Sequence, residues 1–425
     1  MSTVYDELSW RGLIANSTEP EALSAALAGD PLTFYVGFDP TAPSIHMGNL
    51  VQLTIARRLQ AAGHRPLLLV GGSTGLIGDP KDSGERTLNA PEVVAEWVAR
   101  IQGQVSSLID LGGDNPARLV NNLDWTAGLS VLDFLRDVGK HFPVNRMLAR
   151  DVVRNRLEDG ISYTEFSYVL LQSLDYLELF RRYGCTLQFG GSDQWGNITA
   201  GAELVRRVTG ERVHAMASPL LTKADGTKFG KTESGTVWLD PNLTSPYAFH
   251  QFFLNAEDAK VIEYLKVFSD RDADEIGQLE VDTAERPHER RAQHALADDV
   301  TTLVHSAQET EAANAAAQAL FGRGELGALS AATLDSVLTE IGAPVVERPE
   351  LPTVADAFEL AGVVGSKSQA RRMVAEGGAY LNNERVADAD RRLGPDDLLH
   401  GRYAVLRRGR KTVGGLRFAQ RVAGA

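Results

Sequence analysis

The sequence predicts an α/β fold with a doubly wound parallel sheet in its first half, followed by an all-helical region and a small α+β module. Three observations predict this arrangement. Unbroken apolar segments alternate with helix-period segments from residue 32 to residue 209, as expected for a parallel sheet covered on both faces. Residues 250–340 carry helical patterns without a convincing strand. The last 75 residues form a compact basic segment.

The alternating half holds the candidate strands and helices of the sheet. Strands are predicted at residues 32–38, 66–70, 118–122 and 186–190. Helices are predicted at residues 45–62, 91–109, 130–138, 163–182 and 193–209. In Rossmann-like sheets of this kind, ligands bind at the carboxyl ends of the strands. Polar residues do follow the predicted strands, namely Asp39, residues 71–74 and residues 191–194.

Composition excludes several classes of protein. Of the 425 residues 43% are hydrophobic, and the single cysteine, Cys185, permits no disulfide within the chain, which suits a reducing cytoplasm. The N-terminus lacks the basic start and apolar core of a signal peptide, and no apolar run approaches the ~20 residues of a membrane helix. We therefore expect a cytoplasmic protein without a membrane contact.

Charge is distributed unevenly along the chain. The net charge of −13 combines +5 for residues 351–425 with −18 for the other 350 residues. A basic module on an acidic body suggests a local contact with nucleic acid, although a solvated basic surface explains the charge equally well. A proline-flanked segment, residues 341–352, is predicted to link this module to the helical region.

His46 and Gly48 stand on the first turn of the helix that follows the first strand. A helix N-terminus offers unpaired N–H groups and partial positive charge to a phosphate, and an imidazole there can donate to a phosphoryl oxygen. Gly48 has no side chain, so a flat base can approach the backbone. A lone His-x-Gly is weak evidence, which the preceding strand and the Asp39-Pro40-Thr41 turn strengthen.

Residues 221–232 form a turn-rich loop that carries Lys228 and Lys231. The loop is not a Walker phosphate loop, because Gly226 lies one residue too close to Gly230 and no strand leads directly into a helix. Its lysines could close on the β- and γ-phosphates of a nucleotide in the transition state. The alternative is a solvated basic loop.

Two further polar groups are candidates for ligand contacts. Tyr168, Gln172 and Asp175 share one face of the fourth predicted helix, and they need hydrogen-bond partners from a ligand or from one another. At the next strand-to-helix turn, Asp193 could accept from a ribose hydroxyl, and Gly191 would allow close backbone approach. A helix-capping role for Asp193 is the alternative.

Together these motifs resemble class I aminoacyl-tRNA synthetases: the turn at His46 is similar to their HIGH signature, and residues 228–232 are similar to their KMSKS loop. Residues 366–382 resemble the small RNA-binding module that is shared with a ribosomal small-subunit protein. The resemblance to the bacterial tyrosyl-tRNA synthetase family in particular rests on residues 35–41, 74–80, 164–175 and 190–197.

The resemblance implies that L-tyrosine is activated with ATP to tyrosyl-adenylate and then transferred to the 3′ end of tRNA(Tyr). It implies a catalytic nucleotide-binding domain at residues 1–235, a helical domain for the anticodon region of the tRNA at 236–345 and a basic RNA-binding domain at 352–425. It also implies a homodimer. Mg²⁺ is expected on the phosphates of the substrate ATP, with no metal ligands supplied by the protein and no tightly bound cofactor.

The same resemblance assigns roles to individual residues. Tyr35 and Asp175 would hold the substrate phenol, and Gln194 would lie near the reacting carboxyl. The residues implied for the substrate ammonium group are Asp79, Tyr168 and Gln172. Those implied for ATP are Asp39, Thr41, His46, Gly48, Gly191, Asp193, Lys228 and Lys231. Those implied for catalysis are Thr41, His46, Asn49, Lys228, Lys231 and Arg86, the last on a mobile loop after Asp79.

Three features depart from the family pattern. Asn49 stands where the HIGH signature ends in histidine, and its amide can still donate to a ribose oxygen. The lysine loop reads KFGKT and keeps both lysines. The segment after Asp79 is one residue shorter than the pattern, which leaves open whether Lys81 replaces the usual loop lysine.

Three rival functions remain open at this point. A tryptophanyl-type synthetase has the same class, but Asp175 with Tyr35 favours a phenol over an indole. A non-catalytic RNA-binding paralogue would keep the fold without the chemistry, and the intact His46, Lys228 and Lys231 argue against it. Another nucleotidylyl-transferring ligase could use the same histidine–glycine turn, which the basic tail disfavours.

Overall fold

The computed structural model describes residues 3–80, 84, 88–232, 235–347, 350–409 and 412–419. Contacts divide the chain into two units, Met1–Leu243 with Glu257–Ala292 and Thr244–Ala256 with Gln293–Ala425. None of the described helices combines the length and the apolarity that crossing a bilayer requires.

The first unit is built on a six-stranded sheet. Its strands are Asn16–Ser17 (β1), Thr33–Phe38 (β2), Arg65–Val70 (β3), Arg118–Asn121 (β4), Cys185–Gly191 (β5) and His214–Ser218 (β6). They lie in the order β1-β6-β5-β2-β3-β4, and all adjacent pairs except β1–β6 are parallel. The chain therefore winds outward in both directions from the neighbouring strands β2 and β5, which confirms the predicted doubly wound sheet. Ligands of such sheets bind at this reversal of strand order.

Helices precede, connect and follow the strands. Their bounds are Val4–Trp10 (α1), Pro20–Ala28 (α2), Met47–Ala61 (α3), Thr74–Ile77 (α4), Pro91–Ser106 (α5), Leu123–Thr126 (α6), Val131–Asp133 (α7), Val144–Leu148 (α8), Asp151–Arg154 (α9), Tyr163–Tyr183 (α10), Trp195–Thr209 (α11), Pro246–Leu254 (α12), Asp258–Phe268 (α13), Ala273–Glu285 (α14), Arg291–Val304 (α15), Ala307–Leu320 (α16), Ala331–Glu340 (α17), Val354–Leu360 (α18) and Lys367–Ala375 (α19). A five-residue π-helix, Phe134–Val138, continues α7.

The helices of the first unit cover both faces of its sheet. Tyr35 and Leu69 point into a core shared with α10 and α11. Phe34 and Leu68 alternate to the opposite face, and α3 and α5 also pack on the sheet. A short hairpin, Lys231–Thr232 (β7) with Gly235–Thr236 (β8), follows the lysine loop. These layers leave the carboxyl ends of the strands as the place where polar side chains collect.

The second unit carries a mixed five-stranded sheet. Its strands are Val345–Val346 (β9), Ala379–Leu381 (β10), Glu384–Arg385 (β11), Tyr403–Arg408 (β12) and Thr412–Phe418 (β13), in the order β11-β10-β12-β13-β9. β9 lies in the segment that the sequence predicts as a linker, and it pairs in parallel with β13. A two-residue strand has no periodicity of its own, so the sequence could not indicate it.

The two faces of strand β12 pack against two different cores of the second unit. Ala404 and Leu406 face a core formed with α18 and α19. Tyr403 and Val405 alternate into a different core with α12, α16 and α17. The Asn383 amide also donates to the Ala319 carbonyl at 2.6 Å. The module is therefore packed against the helical part of its unit rather than joined to it only by a chain segment.

Candidate active site

A chain of hydrogen bonds joins the carboxyl ends of β2, β3 and β4 to helix α10. The Thr74 hydroxyl donates to Asp39 Oδ1 at 2.7 Å, and Asn122 Nδ2 donates to the Thr74 hydroxyl at 3.0 Å. Asn122 Nδ2 also donates to Asp175 Oδ2 at 3.1 Å, and the Tyr168 hydroxyl donates to Asp39 Oδ2 at 2.5 Å. The predicted residues Asp39, Tyr168 and Asp175 thus belong to one network.

Asp175 is the most deeply placed carboxyl of this network, with 2% of its surface exposed. Trp125 Nε1 donates to its Oδ1 at 2.8 Å, while Asn122 serves Oδ2. Burial raises the pKa of the Asp175 carboxyl to about 8, and these two hydrogen bonds oppose the rise. Each oxygen keeps a further lone pair with which to accept from a ligand.

Several buried polar atoms near this network have no hydrogen-bond partner in the described part of the chain, Ser73 Oγ among them. Two belong to predicted tyrosine-site residues, namely the Tyr35 hydroxyl and Gln172 Oε1. Burial raises the pKa of Tyr35 well above its usual value, and so does the neighbouring carboxyl of Asp175. An unpaired buried polar atom costs ~1–3 kcal/mol, so both atoms point to a ligand that would satisfy them. Tyr35 and Asp175 together can bind a hydroxyl group.

A second carboxylate, Asp79, lies at the other end of the predicted tyrosine site. Gln194 Nε2 donates to Asp79 Oδ2 at 2.8 Å, and Asn197 Nδ2 donates to Asp79 Oδ1 at 3.1 Å. Asn197 Nδ2 also donates to Gln194 Oε1 at 2.9 Å. Asp39 and Asp79 both contribute to raising the pKa of Tyr168, after burial, which places them close to that phenol. Negative charge is thus available here for a ligand's ammonium group.

His46 is the N-cap residue of α3, at the helix start where the sequence places it on the first turn. Its Nδ1 accepts from the Gly48 N–H at 3.1 Å, while the Asn49 side-chain oxygen accepts from the His46 N–H at 3.1 Å. Because Nδ1 is an acceptor, the proton of the neutral ring lies on Nε2, which can donate to a ligand. Asn49 closes a reciprocal capping box in the position where the family signature has a second histidine.

The lysine loop packs onto the start of α3. Gly230 has φ +87°, and a Cβ built there would lie 2.6 Å from the Cβ of Met47, so only glycine fits. The ring of Phe229 lies 4.1 Å from that of Tyr264 in α13. Both lysines of the loop contribute to lowering the pKa of His46, after burial. Gly230 stands between Lys228 and Lys231, so its contact with Met47 holds the lysine loop at the helix start that carries His46.

The pKa of His46 predicts the pH dependence of the reaction. His46 is exposed by surface area, yet many protein atoms surround its ring. Their desolvating effect, followed by the charges of Lys231 and Lys228, lowers the pKa of His46 below its usual value. The ring is therefore neutral above about pH 6.5 and gains a proton only at lower pH, where protonation of Nδ1 breaks the bond from Gly48. We expect kcat/KM for ATP in pyrophosphate exchange, which reports the free enzyme, to stay level from pH 8 down past this value and then to fall. The fall should disappear in His46→Asn, and its persistence there would assign it to another group.

The remaining residues that were predicted to bind ATP lie at the same edge of the sheet, at the carboxyl ends of its strands. A Cβ on Gly191 would lie 2.5 Å from Asp193 Oδ1, so a larger residue there would displace the Asp193 carboxylate. Asp193 acts on the pKa of His46 in the direction opposite to the lysines. Gln194 is the N-cap residue of α11 and no side chain caps that helix, so the capping alternative for Asp193 is wrong. Thr41 and Gly48 are both exposed beside Asp39 and His46. Arg86 and Lys81 lie outside the described residues.

Several residues of the site were not predicted from the sequence. They are Thr74, Asn122 and Trp125 around Asp175, Asn197 beside Asp79, and Gln104, whose Oε1 accepts from the Ile45 N–H at 2.9 Å. Thr74 is one of the polar residues 71–74 that the sequence places after a strand, although no role was predicted for it, and the same signal could have identified Asn122 after β4. Trp125, Asn197 and Gln104 lie within helices, where the sequence does not distinguish them from ordinary helix residues.

Comparisons with known proteins agree on one family. Residues 27–322 match the family model of tRNA synthetases class I (W and Y), and residues 341–413 match that of the tyrosine–tRNA ligase SYY-like C-terminal domain. A tyrosine–tRNA ligase of Cutibacterium acnes is 65% identical over 98% of this chain and 100% of its own length. A tyrosine–tRNA ligase of Streptomyces avermitilis is 58% identical over 97% of this chain and 98% of its own length.

Solved structures give the same result at lower identity. A C-terminally truncated mitochondrial tyrosyl-tRNA synthetase of Aspergillus nidulans superposes with a TM-score of 0.69 at 30% identity, covering 76% of this chain and 95% of that chain. A tryptophanyl-tRNA synthetase of Encephalitozoon cuniculi has a TM-score of 0.55 at 14% identity, covering 72% of this chain and 86% of that chain. At that identity the likeness concerns the fold alone.

Proposed function

The chain belongs to the tyrosine–tRNA ligase family of class I aminoacyl-tRNA synthetases, and we propose that the site described above performs both steps of its reaction. In the first step the carboxylate of L-tyrosine attacks the α-phosphorus of ATP, which gives tyrosyl-adenylate and releases pyrophosphate. In the second step a hydroxyl at the 3′ end of tRNA(Tyr) takes the tyrosyl group and AMP leaves. The substrate supplies the nucleophile, so the protein acts by positioning and by stabilising charge.

The observation that carries the amino-acid assignment is the unpaired Tyr35 hydroxyl beside Asp175. A substrate phenol donates to the Asp175 carboxylate and accepts from Tyr35, which satisfies both buried groups. The substrate ammonium group then lies among Asp79, Tyr168 and Gln172, whose Oε1 also lacks a partner in the described structure. Gln194, bonded to Asp79, is left beside the substrate carboxyl.

The nucleotide lies across the carboxyl ends of β2 and β5. Gly191 and Asp193 contact the ribose, with Gly48 beside the base, and Asp39 and Thr41 line the turn after β2. His46 donates from Nε2 to the phosphates, and Lys228 and Lys231 bind the departing pyrophosphate. Mg²⁺ enters as part of the ATP complex, where it neutralises triphosphate charge. The packing of Gly230, between the two lysines, against Met47 next to His46 supports this assignment.

The test of the function is ATP–pyrophosphate exchange measured with each of the twenty amino acids. Exchange with tyrosine alone supports the proposal. Exchange with tryptophan instead would identify the tryptophanyl-type alternative, and exchange with none would identify an RNA-binding paralogue.

We propose residues 1–235 as the catalytic domain, 236–345 as the helical domain and 352–425 as the RNA-binding domain. The basic module shares a core with its helices, so deleting it would expose that core. Point variants are the cleaner test. Five basic side chains of the module already pair with acids, in the pairs Lys367–Asp356, Arg371–Asp390, Arg372–Glu376, Arg391–Asp397 and Arg392–Glu350.

Arg385 and Arg408 are exposed and form no ion pair with the described residues. We expect the double variant Arg385→Ala/Arg408→Ala to raise the KM for tRNA about 10-fold and to reduce the salt dependence of tRNA binding by about two phosphate contacts. Pyrophosphate exchange should be unchanged. Arg100→Ala, at a 50% exposed arginine of α5, is the matched control. Equal losses of pyrophosphate exchange and of tRNA charging would contradict the assignment of these two arginines to tRNA binding alone.

We also propose that the protein is a cytoplasmic homodimer. Seven of the seventeen exposed large apolar side chains of the described structure fall between residues 131 and 163. They are Val131, Leu132, Leu135, Val144, Leu148, Leu157 and Tyr163. Such a concentration is typical of a surface that a second copy covers. The cytoplasmic location follows from the tRNA substrate and from the buried free thiol of Cys185.

Light scattering tests the dimer. Wild-type protein should have twice the 46.0 kDa mass of one chain, and Leu132→Asp, at a side chain 78% exposed, should halve it. Val281→Asp, at a side chain 47% exposed in α14, should leave the mass unchanged. A wild-type protein with the mass of one chain would contradict the proposal.

A further inference from the structure

Arg150 reaches the tyrosine site from outside the segments that carry the predicted residues. It lies between α8 and α9, and its backbone N–H donates to the Met147 carbonyl at 3.3 Å. Its Nη2 donates to Asn197 Oδ1 in a short hydrogen bond. A Cβ built on Gly196 would lie 3.4 Å from Nη2, so the guanidinium lies against the start of α11.

This position is electrostatically unfavourable for helix α11. The N-terminus of a helix carries partial positive charge, and a cation placed there destabilises the helix. Burial also lowers the pKa of Arg150, and the neighbouring Asp79 opposes that effect. Arg150 therefore does not serve to stabilise helix α11. Its position is explained by the hydrogen-bond network at the N-terminus of that helix.

The network has a direction that Arg150 and Asp79 fix from its two ends. A guanidinium can only donate, so Asn197 turns its side-chain oxygen toward Arg150. A carboxylate can only accept, so Asn197 and Gln194 turn their nitrogens toward Asp79, and Gln194 offers its oxygen to Asn197. Without Arg150, the oxygen of Asn197, in a side chain 2% exposed, would lose its donor, and the amide would be held from the Asp79 side alone.

We propose that Arg150 is a positioning residue for the ammonium-binding end of the tyrosine site, which it acts on through Asn197. This rests on the proposed function, in which Asp79 binds the substrate ammonium group and Gln194 lies beside its carboxyl. With Arg150 present, both oxygens of Asp79 accept from fixed donors, so the carboxylate meets the ammonium group in one orientation. Arg150 itself does not contact the substrate in this arrangement.

The test compares two ligands in two variants. L-tyrosine carries the ammonium group, and 3-(4-hydroxyphenyl)propionate is the same molecule without it. For Arg150→Met we expect the Kd of tyrosine to rise about 10-fold and that of the propionate to change less than about 2-fold. The KM for ATP should also stay within about 2-fold. Arg150→Lys keeps a donor and should recover most of the loss.

Arg154→Met is the matched control, because Arg154 belongs to the same segment, is 63% exposed and pairs with Asp151 at 2.6 Å. It should bind both ligands as the wild type does. Equal weakening of both ligands in Arg150→Met would show a general structural role and overturn the proposal. A higher KM for tRNA with unchanged tyrosine affinity would overturn it too, because it would assign Arg150 to an RNA contact. Failure of the wild type to exchange with tyrosine would instead refute the proposed function.

Discussion

Replacing His46 with alanine is expected to lower kcat for tyrosine-dependent ATP–pyrophosphate exchange by about 100- to 1000-fold, the usual effect of losing one preorganised donor to a developing charge. The Kd for tyrosine should stay within about 2-fold, because the imidazole acts on the phosphates in the transition state. The geometry supports this role: Nδ1 is held by Gly48, Nε2 is left as the donor, and the lysine loop packs against Met47, the next residue.

The alanine variant also removes a helix cap, which costs about 1 kcal/mol of stability. His46→Asn is the control for that effect, because asparagine can accept from the Gly48 N–H as histidine does. We expect His46→Asn to keep the melting temperature of the wild type while losing most of kcat. A large rise in tyrosine Kd with unchanged turnover would contradict a transition-state role for His46.

The second large effect is expected for Asp175→Asn, which should raise the Kd of tyrosine by about 10- to 100-fold. Both oxygens of Asp175 accept from groups that cannot reverse. Trp125 Nε1 can only donate, and the orientation of Asn122 is fixed because its oxygen accepts from the Ser73 N–H at 2.7 Å. An amide in place of the carboxylate therefore turns its NH₂ group toward one of these donors. Phenylalanine has no hydroxyl to lose, so selectivity against it should fall by a similar factor.

Tyr35→Phe is the matched comparison for Asp175→Asn. It removes one neutral hydroxyl and keeps the ring against Tyr176, whose centroid is 5.4 Å away. Loss of a neutral hydrogen bond predicts a rise in tyrosine Kd of about 2- to 10-fold, smaller than for Asp175→Asn, which also deprives Trp125 or Asn122 of an acceptor. The assignment of the phenol to this end of the site would be contradicted if neither variant altered the ratio of tyrosine to phenylalanine affinity.

Asp175 also predicts how stability depends on pH. Its pKa in the folded protein is about 8, above the ~3.9 of an unfolded chain. Its contribution to stability is therefore complete below about pH 3.9, decreases as the pH rises from there, and is lost by about pH 8. The melting temperature of the free enzyme should carry this downward slope, and Asp175→Asn should remove it.

Much of the fold follows from the sequence because its pattern is local. The apolar segments at β2, β3, β4 and β5 alternate with helices, and this alternation predicts the doubly wound sheet. β6 was not predicted, since the segment His214–Ser218 consists mostly of small side chains and has little apolar contrast. The two-residue strands β1 and β9 exist through pairing with distant strands, which no local pattern reports.

The residues of the site likewise fall into those that a local sequence pattern indicates and those that it does not. Asp39, His46, Gly191 and Asp193 follow strands, so their position alone indicates that they share one edge of the sheet. The residues that orient the side chains of the site come from distant positions in the chain, so a local pattern does not indicate them. Trp125 meets Asp175 from 50 positions away in the sequence, and Arg150 meets Asn197 from 47. Such pairs depend on how helices pack, and the amino-acid order does not specify that by itself.

The most direct test is a crystal structure of the protein with a non-hydrolysable analogue of tyrosyl-adenylate. We expect the phenol oxygen within hydrogen-bond distance of Tyr35 and Asp175, the ammonium group at Asp79, and the linkage that replaces the phosphate facing His46. An analogue bound at another place, or bound here with its phenol ring turned away from Asp175, would contradict the account.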